Sequence, residues 1–210
     1  MFGQACTMIE QVDRDIFFII NGAHHPVLDV FMLLFSNKFA WVWFYMLILG
    51  MGFRKLGLKV FVFSLFAIST VFLTDFISVH AFKEVFQRFR PCHNVDFGHL
   101  VRVINGCGGK YGFVSSHAAN SAGLASLVAM SGVLVYEMPI QRKFLFQALL
   151  FSYPVLNGYS RIYLGVHYPY DVVAGFALGA AIGLLLGMAW NYWYLRHGYP
   201  TIKSPKQTRT

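Results

Sequence analysis

An all-α, polytopic membrane helix bundle is the fold class this sequence predicts, and three observations predict it. Hydrophobic residues make up 57% and charged residues only 12% of the 210, a balance far from that of soluble domains, which carry about 25% charged residues. Several stretches run long without charge, and crossing hydrocarbon takes about 20 apolar residues in a helix that satisfies its own backbone. Small residues recur at helical spacing in two of these stretches, the mark of helices that approach closely. About five transmembrane helices are expected, preceded by N-terminal interfacial helices. The chain divides into an interfacial, amphipathic segment over residues 1–38, a transmembrane domain over 39–195 and a basic cytoplasmic tail over 196–210.

Residues 1–20 carry Glu10, Asp13, Arg14 and Asp15 and so lack the pattern of a signal peptide. Thr7 and Glu10 make a capping-box pattern. Ile9, Val12, Ile16, Ile19 and Ile20 then recur at helical spacing, opposite Glu10, Gln11, Asp13 and Arg14, which predicts an interfacial helix rather than a span. Asn21-Gly22 and Pro26 end it. Residues 27–35 are apolar but too short to cross before Ser36, Asn37 and Lys38, so they lie along the bilayer or dip into it.

The first crossing is expected over residues 39–53, with Trp41, Trp43 and Tyr45 as interfacial anchors and Arg54, Lys55 and Lys59 at its far end. The second runs over 58–81 and contains Asp75. A polar loop over 82–115 comes next. The third span, from Ser116 to near Tyr136, holds Ala118, Ala122, Ala125, Ser126 and Ala129, small residues suited to close packing. Gln141, Arg142 and Lys143 read as a turn before a fourth span over 144–158. The last span, about 169–195, carries Gly175, Gly179, Gly183 and Gly187, a flat stripe for a neighbouring helix. Trp190, Tyr192, Trp193 and Tyr194 form its interfacial belt before Arg196 and a tail with Lys203, Lys206 and Arg209.

The net charge of +8 could indicate nucleic acid, but the basic residues sit between apolar spans rather than on one soluble face, so no nucleic acid partner is expected. Arg54, Lys55, Lys59, Arg142, Lys143 and the basic tail share one side, which the positive-inside rule makes cytoplasmic. Five crossings bring the start of span one, the 82–115 loop and residues 160–167 together on the other side. Cys92 and Cys107 both fall in that loop and are expected to pair if it faces an oxidising compartment; a zinc site with His93 and His99 is the rival, although its spacing matches no usual pattern. Cys6 defaults to a small buried apolar role.

The polar groups on the converging side are Lys83, Arg90 and Arg161; Ser115, Ser116 and His117; His167 and Asp171. Three cations, two imidazoles and a carboxylate suit a tetrahedral anion, which Arg grips as a planar fork and Lys as a point charge. Gly108 and Gly109 and a helix start at Ser116 would add backbone N–H donors. A juxtamembrane basic cluster is often only a lipid-headgroup patch, and a His near a helix start is often only a cap.

In order, the chain reads Lys83, six residues, Arg90-Pro91; Val114-Ser115-Ser116-His117; then Ser160-Arg161, five residues, His167, three residues, Asp171. This resembles the three-part signature of the type 2 phosphatidic acid phosphatase superfamily, which also includes vanadium haloperoxidases, and residues 108–120 resemble membrane phosphatases of Bacteroidetes-type bacteria. The match departs at the middle motif, where Val114 and Ser116 replace the usual Pro and Gly. The resemblance implies His167 as the nucleophile that forms a phosphohistidine, Asp171 as its orienting partner and His117 as general acid and then base. It also implies Lys83, Arg90, Ser115, Ser116 and Arg161 as phosphate ligands, with no metal and no cofactor. The haloperoxidases are soluble, which this chain is not, and a lipid-binding or transport protein would leave His117, His167 and Asp171 without work. The expected substrate is a phosphorylated membrane lipid, with undecaprenyl diphosphate or a lipid A phosphate ahead of phosphatidylglycerol phosphate and phosphatidic acid. The expected location is the bacterial inner membrane, with the site facing the periplasm. Arg88, Arg102, Lys110, His93 and His99 are left between headgroup contact and loop structure.

Overall fold

A computed structural model describes residues 2–135 and 138–197, with side chains from residue 8 onward. Cys6, Thr7 and Tyr136 as side chains, and the tail with Lys203, Lys206 and Arg209, lie outside what it describes. Among the described residues there are eight α-helices: α1 (Phe2–Gly22), α2 (Pro26–Ser36), α3 (Val42–Leu56), α4 (Val60–Ile77), α5 (Glu84–Phe86), α6 (Ser116–Ser131), α7 (Ile140–Tyr163) and α8 (Pro169–His197). A π-helical turn, Ser78–Lys83, joins α4 to α5.

The predicted all-α membrane bundle is the observed one, with several boundaries moved. Helix α1 already begins at Phe2, so Thr7 lies inside it and the capping-box reading fails. Turn geometry at Asn37–Trp41 delays the first bundle helix to Val42. The loop expected from residue 82 starts later, because the helix continues through Phe86. Gln141, Arg142 and Lys143 are the first turn of α7, not a turn between helices: Pro139 immediately before it cannot continue a preceding helix but starts one well. Gly132, at φ 63°, ends α6 in the left-handed conformation that glycine adopts without strain.

Two stretches, Val42–Phe86 and Pro169–His197, are long and apolar enough to cross a membrane, and α1 with α2 would be a third if a pair bent by 117° is one broken span. Helix α6 is shorter, at 16 residues, and runs through the centre against α8, α7 and α4. The glycine stripe of α8 fits there. A Cβ on Gly179 would stand 2.1 Å from the Ala119 carbonyl oxygen, and one on Gly183 2.1 Å from that of Gly123. The two backbones therefore touch, as the small residues of both helices allow.

The outside of the bundle is apolar. On α4, Phe61, Leu65, Ile68, Phe72 and Phe76 form an exposed stripe, while Thr70 and Thr74 are buried towards α6, where the Thr74 hydroxyl meets Asn120 Oδ1 at 2.5 Å. Helix α1 shows the same inversion. Ile9, Val12, Ile16 and Ile19 are exposed, and the buried line is Asp13, Phe17 and Asn21, four residues apart. In hydrocarbon, apolar side chains gain nothing by turning inward, whereas polar ones must find partners.

Candidate active site

Three elements converge at one end of α6. The π turn carries Lys83 to the α6 N-terminus, where its Nζ lies 2.5 Å from Ser116 Oγ, itself 2.7 Å from Ser78 Oγ. A π turn adds a residue to the helix and rotates the residues beyond it, which aims Lys83 at the bundle rather than at lipid. The next loop folds back: Arg90 N–H donates to the Lys110 carbonyl, and its guanidinium to the carbonyls of Cys107 (2.9 Å) and Tyr111 (3.3 Å). Cys92 and Cys107 are disulfide-bonded, with Cα atoms 6.1 Å apart, so this pair offers no free thiolate to a metal, and Arg90 is held on a closed loop. Ser115 is wholly buried; its N–H donates to the Asp171 carbonyl at 2.9 Å.

Arg161 comes from the last turn of α7 and His167 from the short turn before α8. Gly165, at φ 80°, makes that turn possible, and a Cβ there would meet the Arg102 carbonyl at 2.6 Å. His167 is 1% exposed. Its Nδ1 lies 3.4 Å from Asp171 Oδ2 without a hydrogen bond of good geometry. Burial first, then the cations Arg161, Arg90 and Lys83, push the His167 pKa well below its ordinary 6.5 and keep the ring neutral.

A cavity of about 460 Å³ joins these groups. Lys83, Arg90, Ser116, His117, Arg161 and His167 line it, together with Lys38, Asp75, Asn120 and Asn157. Ser115 and Asp171 stand behind the lining. Among the described residues, four of the five buried side-chain polar atoms without a partner belong here: Ser115 Oγ, Asn157 Oδ1, Arg161 Nε and His167 Nδ1. Four cations face one another across the lining with a single carboxylate, Asp75, among the described residues there, an electrostatic balance that favours a multiply charged anion. Next to this cavity lies an apolar cleft of about 520 Å³ between α3, α4, α6 and α7, which shares Tyr45, Val71, Leu124 and Tyr153 with it. The hydroxyls of Tyr45 and Tyr153 are hydrogen-bonded to each other at the boundary. A third hollow, along α2, shares Lys38, His117 and Arg161.

Several contributors escaped the sequence reading. Lys38 and Ser36 (bonded to Arg161) come from a segment read as the end of an interfacial stretch, Tyr45 was read as an anchor, and Asn157 and Tyr153 lie in the expected fourth span. Arg88 and Arg102 both prove to be paired with carboxylates within the protein. Arg102 donates twice to Asp29 of α2, at 2.9 and 2.5 Å, and Tyr163 Oη donates to the same carboxylate at 2.7 Å. Arg88 reaches Asp13 of α1 at 2.6 Å and Asp171 at 2.7 Å. Burial works against the charge of Arg88, but Asp171 and Asp13 outweigh it and push its pKa up. Lys110 lies over the rings of Phe89 and Tyr111, and His93 Nε2 is 3.3 Å from the Gly108 carbonyl.

The family model described as "PAP2 superfamily" matches residues 60–194. The chain is similar to a lipid A 4'-phosphatase of Porphyromonas gingivalis, 37% identical over 83% of this chain and 71% of that one. It is similar as well to a lipid A 4'-phosphatase of Bacteroides thetaiotaomicron, 31% identical over 90% and 79%. Among solved structures, the transmembrane PAP2-type phosphatidylglycerolphosphate phosphatase of Bacillus subtilis shares the fold, with a TM-score of 0.65 at 23% identity over 89% of this chain and 87% of that one. The helical bundle, the cationic cavity at the α6 N-terminus and these relatives agree: the chain belongs to the PAP2 superfamily, in its membrane lipid-phosphatase branch.

Proposed function

We propose that the chain removes the phosphate of a saccharolipid of the lipid A class through a phosphohistidine on His167. One observation carries this reading: a buried, neutral imidazole opens onto a cavity lined by Lys83, Arg90 and Arg161, and that cavity adjoins an apolar cleft able to take a lipid chain. His167 attacks phosphorus in line, so one hard displacement becomes two easier ones. His117 protonates the leaving oxygen and then activates water for the second step. Asp171, whose Oδ2 lies 3.4 Å from Nδ1, fixes the ring and stabilises its cation. Lys83, Arg90, Arg161, Ser115 and Ser116 hold the non-bridging oxygens, where charge stabilisation is usually the largest catalytic term. Neither a metal nor a cofactor takes part.

The two lipid A 4'-phosphatase relatives favour this substrate over undecaprenyl diphosphate, which the cationic lining also suits. The basic residues of the α3–α4 and α6–α7 ends support a site facing the periplasm from the inner membrane. Phosphate release from a panel of lipid A, undecaprenyl diphosphate, phosphatidylglycerol phosphate and phosphatidic acid tests the reading. Preference for lipid A is expected, and turnover of phosphatidylglycerol phosphate alone would overturn the substrate assignment.

A further inference from the structure

The N-terminal helix lies outside the 60–194 family match, yet it contributes one of the most deeply buried charges in the molecule. Asp13 is 0% exposed. Its Oδ2 accepts from Arg88 Nη2 at 2.6 Å and its Oδ1 from the Tyr170 N–H of α8 at 2.9 Å. The other terminal nitrogen of Arg88 donates to Asp171 Oδ1 at 2.7 Å. Its guanidinium lies 4.3 Å from the Tyr168 ring centroid. Asp171 Oδ2, left free by Arg88, accepts from the Tyr168 N–H at 3.0 Å and faces His167. A continuous line therefore runs from α1 through one arginine to the nucleophile.

Burying two carboxylates on one cation is costly, and apolar side chains of similar volume would hold α1 to the bundle at least as well. Stability alone does not explain the arrangement. Arg88 also stands outside the cavity lining, with each terminal nitrogen bonded to a carboxylate rather than turned to the cavity. We propose that Asp13 and Arg88 are positioning residues, with α1 supplying a second carboxylate that clamps Arg88 against Asp171 and thereby sets the aim and charge of the partner of His167. The proposal rests on His167 acting as the nucleophile.

The charge balance decides the direction of the test. Lys83 from the π turn, Arg90 from the loop, Arg161 from α7 and His117 from α6 face His167 from the cavity side, while Arg88 and Asp13 approach from behind through Asp171. A cation within about 4–6 Å holds protons off a carboxylate, and an anion does the reverse. Removing Arg88 therefore moves the acid limb of activity to higher pH, whereas Asp13→Asn, which loosens the clamp but also takes away an anion, lowers kcat while moving the acid limb less than Arg88→Gln does.

The experiment measures kcat and KM against pH for full-length protein in detergent with dioctanoyl phosphatidic acid and lipid A. A second readout on the same proteins, the thermal shift produced by orthovanadate against pH, needs no turnover. Arg88→Gln is expected to lower kcat at least tenfold with KM within about threefold and to raise the acid limb by about one pH unit. Arg88→Lys recovers part of kcat, and Asp13→Asn/Arg88→Gln is no worse than Arg88→Gln alone, since both act through one contact. An acid limb unmoved in Arg88→Gln, wild-type kcat in Asp13→Asn, losses confined to KM, or multiplicative losses in the double variant would overturn the proposal. Full activity in His167→Ala would instead overturn the nucleophile on which it rests, and the vanadate shifts of the Asp13 and Arg88 variants would still be read.

Discussion

Arg88 on one side, and Arg90 with Arg161 on the other, occupy environments that do opposite things. Arg88 holds two carboxylates, at 2.6 and 2.7 Å, and is fully employed within the protein. Arg161 donates to Ser36 but leaves its buried Nε without a partner, and Arg90 binds only backbone carbonyls, leaving its charge uncompensated by any close carboxylate among the described residues. A buried guanidinium without an anion is expensive. One that persists beside a cavity, next to Lys83 and a neutral histidine, is held ready for an anion that arrives from outside. The difference teaches that in this bundle the number of acids around a cation, rather than its depth, separates framework from phosphate cradle.

The largest effect that would sharpen this contrast is at the nucleophile. His167→Ala should lower kcat by at least about 10³-fold with little change in fold, measured as phosphate release alongside circular dichroism. Activity near that of the wild type would break the cradle side of the comparison. Next comes the cradle itself. Arg161→Lys keeps the charge but loses the fork and should cost about 10- to 100-fold in kcat/KM, with orthovanadate inhibition weakened in proportion; an Arg161→Lys enzyme that still bound vanadate normally would place the anion elsewhere. EDTA should leave the wild-type rate unchanged.

A smaller effect separates the two arginine environments directly. The Cys92–Cys107 bond closes a loop with a sequence separation of 15 whose Cys107 carbonyl receives Arg90. Replacing both cysteines by serine should destabilise the protein by about 3 kcal/mol in the chain-entropy model and raise KM several-fold through Arg90, while leaving the Arg88-dependent acid limb in place. Smallest is the pH dependence of stability. The unfolded His167 takes a proton near 6.5, and the folded ring, with its lowered pKa, does not. The stability is thus complete above that value and falls as pH drops below it, by at most about 1.4 kcal/mol per pH unit for one group. His167→Gln should flatten that slope in thermal melts between pH 7 and 5.

Much of this was legible in the chain itself. The glycine ladder Gly175, Gly179, Gly183 and Gly187 announced a close helix contact because a four-residue spacing keeps it on one helix face, and the small residues from Ala118 to Ala129 identified a fitting neighbour. Lys83, Arg90, Arg161, His117 and His167 line one cavity, and the expected sidedness of the crossings together with the resemblance to the family's three-part signature had grouped them. Asp13 was not legible. Its helix reads as amphipathic, and the pattern does not say that the isoleucines face outward while Asp13, Phe17 and Asn21 face the protein. Helical periodicity gives the line of residues but not the solvent on either side of it. Lys38 and Tyr45 were missed for a related reason: aromatic and basic residues at span ends are common anchors. Tyr153 sits inside an expected span, and only the packing of α3 against α7 shows it with Tyr45 at a boundary between polar cavity and apolar cleft. The shifted start of the 82–115 loop reflects the π turn at Ser78–Lys83, which has no composition of its own.

The most direct measurement is capture of the covalent intermediate. Full-length protein is mixed briefly with lipid A carrying ³²P at the scissile phosphate, quenched in alkali, and its labelled peptide mapped. An alkali-stable, acid-labile label on His167, absent from His167→Ala, is the expected result. Turnover of the same lipid with no label on the protein, or a label on any other residue, would contradict it.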